Sequence, residues 1–483
     1  MKEKFQNTSI LSNMIWRFAE RCGAQGVTFI VSVVLARLLE PEVYGTVALV
    51  TVFTAILQVF VDSGLGNALI QKKDADDLDF STVFFFNLAV CLCLYVLMFM
   101  VAPVIAKYYG DLSLTAIIRV LSLTIVISGV KNIQQAYVSR SMQFKRFFYA
   151  TLGGTVGAAI VGIVMAYLGF GVWALVAQQL FNLSVDTLIL WFTVNWRPHW
   201  LFSFERLKAL YRFGWKLLAS VLIDTIYNNI RQLVIGKIYS ATDLSFYNRG
   251  KQFPNLIVSN INTSIDSVIF PAMSSAQDDV ERVKSMTKRS ITTSIYVLAP
   301  MMIGLAFIAE PLVRLILTEK WVPCVFYLRI FCVAYIFYPI HTSNLKAIVS
   351  MGRSDLNLQL EIKKKVVGVS LLLTTMWISV EAMAYSLLVS SLASQIINAS
   401  PNKKLLNYGY GEQLRDILPS IVLSIFMGVC IFPIQWLGIP DLLTVVLQVL
   451  LGGAIYIFGS VLLKIESFYY VLRLIKPFLR KGQ

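Results

Sequence analysis

Arg17, Arg21, Ala24 and Thr28 recur at intervals of four, three and four residues inside an otherwise apolar run. That spacing places them on one face of a helix. Asp224, Asn228 and Arg231 repeat the pattern farther along, and a third run carries Arg249, Lys251, Asn255, Asn260, Asn262 and Asp266. Lys131 stands alone in another. A charge at the centre of a membrane helix costs about 2.5–3.5 kcal/mol on insertion scales, so such groups normally face water or a partner. A guanidinium is a planar fork matched to phosphate oxygens, and an ammonium is a compact point charge. The chemistry on offer is therefore binding of a bulky oxyanion by Arg17, Arg21, Arg231, Lys131, Arg249 and Lys251. Acids in or near the same runs are fewer: Glu20, Asp62, Asp186, Asp224 and Asp266. Of these, Asp224, Glu20 and Asp266 are candidates for coupling to a proton or sodium gradient, since a carboxyl in poorly hydrated surroundings senses protons. A second reading stands beside the first. Arg17 with Glu20, and Asp224 with Arg231, can be ion pairs that hold helices together, and Lys216, Arg329 and Lys346 can snorkel from span ends. For Arg119 and Lys346 the structural reading is preferred.

These residues need elements that cross a membrane. Hydrophobic residues make up 57% of the 483-residue chain and charged residues 14%, against roughly 25% charged in soluble domains. Stretches of about 20 apolar residues span a bilayer core. Fourteen of them can be drawn from 13–36 to 441–463; the one at 246–271 is polar and the one at 362–379 is short. With the N-terminus inside, the inner connections collect most of the basic residues. The outer ones hold six: Arg37, Lys107, Lys237, Arg249, Arg314 and Lys320. The bias obeys the positive-inside rule and puts both termini in the cytoplasm. It also accounts for the net charge of +15 without a nucleic-acid partner. The first run, interrupted by Arg17, Glu20 and Arg21, does not read as a cleavable signal. The six cysteines lie in or beside apolar runs in no disulfide or zinc pattern.

ARLLEPEVYG (36–45) echoes GKIYSATDLSFY (236–247), and Trp16 and Trp215 precede these by similar distances. A repeat of six helices relates two halves of the same orientation. The expected architecture is all-α: an N-lobe over 1–196, a cytoplasmic interfacial linker over 197–212, a C-lobe over 213–400, and an extra helix pair with a basic tail over 401–483. Trp200, Phe204, Leu207 and Tyr211 fall near one face of the linker, as in a helix lying in the membrane interface. If the first and seventh helices are counterparts, their polar stripes can face each other across a central cleft.

Taken in order, ARLLEPEVYG (36–45), VDSGLGNALIQ (61–71), QQAYVSRSMQFKR (134–146), GFGVWALVAQQL (169–180), SATDLSFYNRGKQFPNL (240–256) and FPAMSS (270–275) resemble the bacterial Wzx-type flippases. These are colanic-acid and teichuronic-acid exporter-like members of the multidrug/oligosaccharidyl-lipid/polysaccharide (MOP) superfamily. The resemblance implies a V-shaped, two-lobed bundle with a central cavity. Its implied substrate is an oligosaccharide repeat unit on undecaprenyl pyrophosphate, moved from the cytoplasmic to the outer leaflet of the inner membrane for O-antigen, capsule or exopolysaccharide synthesis. It further implies a monomeric transport unit, with a polysaccharide polymerase and export machinery as partners. Such cargo needs a protein, because each unpartnered hydroxyl taken into hydrocarbon costs a few kcal/mol.

No G-x-x-x-x-G-K-[ST] phosphate loop occurs, which argues against direct ATP drive. The connections are too short for an external catalytic domain, and the two histidines, His199 and His341, give little basis for acid–base chemistry. No cofactor is expected. Two alternatives remain: a cation-coupled drug or small-molecule antiporter of the same superfamily, which predicts an acidic cavity, and a multi-pass envelope-glycan assembly enzyme, which predicts bond turnover.

Overall fold

In lipid the backbone must satisfy its own hydrogen bonds, and the helix does so within one segment. A computed structural model describes the backbone of residues 2–480 apart from 63–64, 73 and 142–143; the side chains of Arg17 and Asp266 lie outside the described residues. Among the described residues every regular element is helical. Ten helices or helix pairs are long and apolar enough to cross a membrane, so the chain is a multi-pass membrane protein.

The chain forms two compact units, Met1–Ser245 and Phe246–Gln483. The first contains α1 (Lys2–Leu38), α2 (Pro41–Asp62), α3 (Leu65–Gln71), α4 (Asp77–Tyr109), α5 (Leu114–Leu121), α6 (Leu123–Arg140), α7 (Phe144–Tyr167), α8 (Val172–Thr193) and α9 (Phe204–Ile238). Next, α10 (Ala241–Ser275) runs from the first unit into the second. It is followed by α11 (Val280–Leu317), α12 (Cys324–Ile336), α13 (Tyr338–Ser350), α14 (Ser354–Thr375), α15 (Val380–Ala399), the single turn α16 (Asn402–Leu405), α17 (Tyr410–Ile431), α18 (Asp441–Leu462) and α19 (Glu466–Arg480).

In the first unit α1 lies on α7, α7 pairs with α8, and α9 packs along α2. The expected linker divides. Residues 197–203 are an irregular segment, and Phe204 opens an unbroken helix that continues through the seventh apolar run. Leu207 is buried, while Trp200 and Phe204 are exposed. Side chains of α4 sew the irregular segment down. Ser81 and Thr82 accept from the His199 and Ser203 amides at 3.0 and 3.1 Å, and the Trp196 indole donates to Asp77 at 3.2 Å. Asp76 and Asp79 form a capping box at the start of α4. Arg206 reaches Asp76 at 2.6 Å and the fully buried Asp79 at 3.2 Å, and Lys72 closes on Asp79 at 2.6 Å. The Asp79 amide, helped by Arg206, holds the Asp76 carboxyl below the usual carboxylate range.

The second unit ends in the extra helix pair. Helices α17 and α18 pack on α11, where Gly428 admits Phe307 so closely that a Cβ would meet its ring at 2.5 Å. Tyr456 donates to the Tyr296 carbonyl at 2.8 Å and Tyr296 to Ser460 at 3.0 Å. Asn344 and Gln413 exchange reciprocal amide bonds of 2.8 and 2.9 Å, and Asn402 joins them at 2.6 Å.

The sequence echo has a structural counterpart. Between α1 and α2 the connection is Leu39–Glu40, and between α9 and α10 it is Tyr239–Ser240, two residues in each case. Each unit also contains a broken span, at Ser122 in the first and Phe337 in the second. Both carry an arginine on the segment before the break that treats a proline-bearing neighbour alike. Pro103 in α4 cannot donate to the Phe99 carbonyl; Arg119 Nε donates there instead at 3.2 Å, with its guanidinium 4.0 Å from the Phe99 ring. In α11, Pro311 leaves the Phe307 carbonyl to Gln435 at 2.5 Å, and Arg329 Nε reaches the adjacent Ala306 carbonyl at 3.2 Å. Arg119 and Arg329 each donate to a backbone carbonyl of the neighbouring helix.

Arg119→Ala should lower thermal stability in detergent by about 1 kcal/mol or more, the cost of one lost hydrogen bond and an orphaned carbonyl. In a Pro103→Ala background, where the new backbone amide restores the helix bond, the same substitution should be nearly neutral. Equal losses in both backgrounds would show that the arginine does not serve that carbonyl.

Candidate functional site

The cations singled out above divide between the two units. Arg17 and Arg21 lie on α1, Lys131 on α6 and Asp224 and Arg231 on α9, all in the first unit. Arg249 and Lys251, on α10, belong to the second, with Asp266 beyond them on the same helix. The polar stripes of α1 and α9 therefore lie on helices of one unit, one resting on α7 and the other on α2.

Arg21 is exposed, and Asp224, Arg231 and Lys251 are partly exposed. Glu20 is buried and accepts from Thr151 of α7 at 3.3 Å. On α9 the polar residues continue past Asp224: Asn229 donates to the Thr225 carbonyl at 2.8 Å, and Gln232 donates to Asn229 at 3.0 Å. Near the end of that helix Lys237 bonds the Tyr108 carbonyl and lies 4.2 Å from its ring. This lysine is a fastening between α9 and α4.

Lys131 is not turned to open solvent. Its ammonium pairs with Asp186 of α8, and the two side chains are 14% and 11% exposed. Arg249 is also deeply placed. Its guanidinium lies 4.9 Å from the Trp321 ring and donates to Gln252 at 2.7 Å. Lys346 lies 5.1 Å from the Phe270 ring, in keeping with its structural reading. His341 accepts or donates at 2.8 Å with Asn398, beside the buried amide network. Nothing local in the sequence marks Asp186 as the partner of Lys131 or Trp321 as the platform under Arg249, because each pair is joined only by packing of distant segments.

Of the candidate cations, Lys131 lies on one of the ten apolar spans and the others on the more polar helices α1, α9 and α10. Among the described residues no group of three His, Cys, Asp or Glu is placed to hold a metal ion. A family model described as polysaccharide biosynthesis protein matches residues 34–326, more than half of the chain. The chain belongs to that family. Its similarity to the succinoglycan biosynthesis transport protein ExoT of Rhizobium meliloti is 26% identity, over 65% of this chain and 63% of ExoT, so the match spans less than two thirds of that relative. With the lipopolysaccharide biosynthesis protein WzxC of Escherichia coli it shares 22% identity over 84% of each. The fold is similar to that of the lipid II flippase MurJ in an inward closed conformation, with a TM-score of 0.74 and 13% identity, covering 93% of this chain and 98% of that one. The resemblance drawn from the six motifs thus holds at the level of the polysaccharide biosynthesis family and of a MurJ-like fold. ExoT is named as a transport protein and MurJ as a flippase, neither as an enzyme.

Arg249→Ala should lower thermal stability by about 1–2 kcal/mol through loss of the stacked guanidinium. Arg249→Lys should restore little of it, since an ammonium has no planar face to lay on Trp321. Unfolding of the alanine variant at the wild-type temperature would contradict a packing role.

Proposed function

We propose that this protein is a flippase that carries an oligosaccharide linked to undecaprenyl pyrophosphate from the cytoplasmic to the outer leaflet of the bacterial inner membrane, for surface polysaccharide synthesis. The observation that carries the reading is membership of the polysaccharide biosynthesis protein family in a helical chain with a surplus of basic groups. Relatives named for transport in succinoglycan synthesis and for lipopolysaccharide biosynthesis support it. In this reading the polar helices α1, α9, α10 and α14 cross the membrane along with the ten apolar spans, giving fourteen crossings and cytoplasmic termini.

The chemistry follows from the cargo. Sugar hydroxyls and the diphosphate need partners throughout the crossing, while the polyprenyl tail stays in hydrocarbon. Arg17, Arg21 and Arg231 offer forked donors to the diphosphate, with Lys131, Lys251 and the stacked Arg249 adding positive potential. Access alternates between the two leaflets. Asp224, Glu20 and Asp266 are the groups through which a proton or sodium gradient would bias that alternation. The surplus of basic over acidic groups favours an anionic substrate over the cationic drugs of an antiporter. A polymerase that consumes the flipped repeat unit is the expected downstream partner.

Reconstitution in proteoliposomes with a fluorescent lipid-linked oligosaccharide, read by an impermeant quencher, tests the proposal. Arg17→Ala, Arg21→Ala and Arg231→Ala should each slow translocation roughly tenfold to a hundredfold, the equivalent of one charge-assisted hydrogen bond, with membrane insertion intact. Full activity in all three removes the site assignment. No translocation by the wild-type protein removes the function.

A further inference from the structure

Lys131 of α6 and Asp186 of α8 form a largely buried ion pair. Lys131 sits midway along α6, nine residues from Arg140 at its end, or about 13 Å at the helical rise. At that depth an ammonium is stable only with a counter-charge or water. Asp186 supplies the charge with one oxygen, Oδ2. Its other oxygen, Oδ1, is buried and has no hydrogen-bond partner among the described residues. Among the described residues the Asp186 carboxylate is thus held through Lys131. Helix α7 packs close against Asp186. Gly154 of α7 is packed so closely that a Cβ there would stand 3.3 Å from Asp186 Cβ and 2.8 Å from both Asn182 oxygens. In this pair the movable member is the lysine, on its flexible four-carbon stem.

The surroundings add negative charge. Asp62, at the end of α2, lies within Coulomb reach of Lys131 and accepts from Gln58 and Asn132 at 3.3 Å each. The basic side chain of α5, Arg119, is turned to the Phe99 carbonyl. An anion arriving at Lys131 therefore has to displace a carboxylate that already holds it.

We propose that Asp186 is an internal competitor of the substrate diphosphate: it holds Lys131 between transport events, releases it when the headgroup arrives, and reclaims it to expel the headgroup. Asp186 is thus a positioning residue that sets affinity and release without touching the substrate. The inference rests on the flippase reading for the identity of the anion. Removing the competitor has an effect opposite to that of removing a structural staple. Lys131 is freed for the substrate, so binding tightens and release slows.

The test measures inorganic pyrophosphate binding to the purified full-length protein in nanodiscs by calorimetry, alongside translocation kinetics. Asp186→Asn should tighten pyrophosphate binding at least tenfold, and should lower both the half-saturating substrate concentration and the maximal translocation rate. Lys131→Ala should weaken binding at least tenfold, and the double variant should behave as Lys131→Ala. Asp186→Glu, which keeps the competing charge, should stay near wild type. Asp186→Ser serves as a second neutral variant, and tightening is required of whichever neutral variant is monodisperse. Unchanged or weaker binding in a folded neutral variant, or wild-type binding in Lys131→Ala, overturns the inference. If the wild-type protein flips substrate while pyrophosphate affinity ignores both residues, the inference falls and the flippase reading stands. If the variants shift affinity as stated but the wild-type protein flips nothing, the pair is an anion switch and the flippase reading falls.

Discussion

The hydrocarbon core of a bilayer contains no water to solvate a polar group, and the features of this protein follow from how it meets that shortage. Helices satisfy most of the backbone within themselves. Where a proline breaks the ladder, at Pro103 and Pro311, side chains from neighbouring segments occupy the carbonyls it leaves: Arg119, Gln435 and, one residue away, Arg329. Where amides are buried in the second unit they close on each other, as Asn344, Gln413 and Asn402 do. A bond of this kind is worth more in an environment where the alternative is no partner at all.

The same shortage sorts the charged residues into two groups. Arg119, Arg249, Lys237 and Arg329 are consumed by the fold, each on a carbonyl, an aromatic ring or both. Lys131 is consumed too, but by another charge, and a pairing between two ions can be exchanged for a pairing with a third. Arg21 is exposed, and Arg231 and Lys251 are partly exposed. The two-residue connection recurs before α2 and before α10, and each unit contains a broken span.

At the start of α4 the pattern is carried to the membrane surface. Asp76 and Asp79 cap the helix, and Lys72 and Arg206 neutralise them. The segment between α8 and α9 is thereby fixed to α4, and α9 enters its run along α2 from a set position. That is why the apolar side chains of 200–211 part ways, with Leu207 inward and Trp200, Phe204 and Tyr211 outward, although the sequence places them near one face.

By itself the sequence determined that this is an all-helical, multi-pass membrane protein of a polysaccharide biosynthesis family. Apolar length and the placement of lysine and arginine in connections are local quantities, and the motifs from ARLLEPEVYG to FPAMSS lie in uninterrupted stretches of chain. Which charges would lie inside apolar runs was equally legible, because their cost depends on depth alone. Only the tertiary structure decided what each charge does. Lys131 meets Asp186 and Arg249 meets Trp321 through helix packing between residues far apart in the chain, and α9 joins the first unit because α2 offers it a face. A counter-charge cancels another only within a few ångströms, and no periodicity along one helix records which residue a second helix will bring that close.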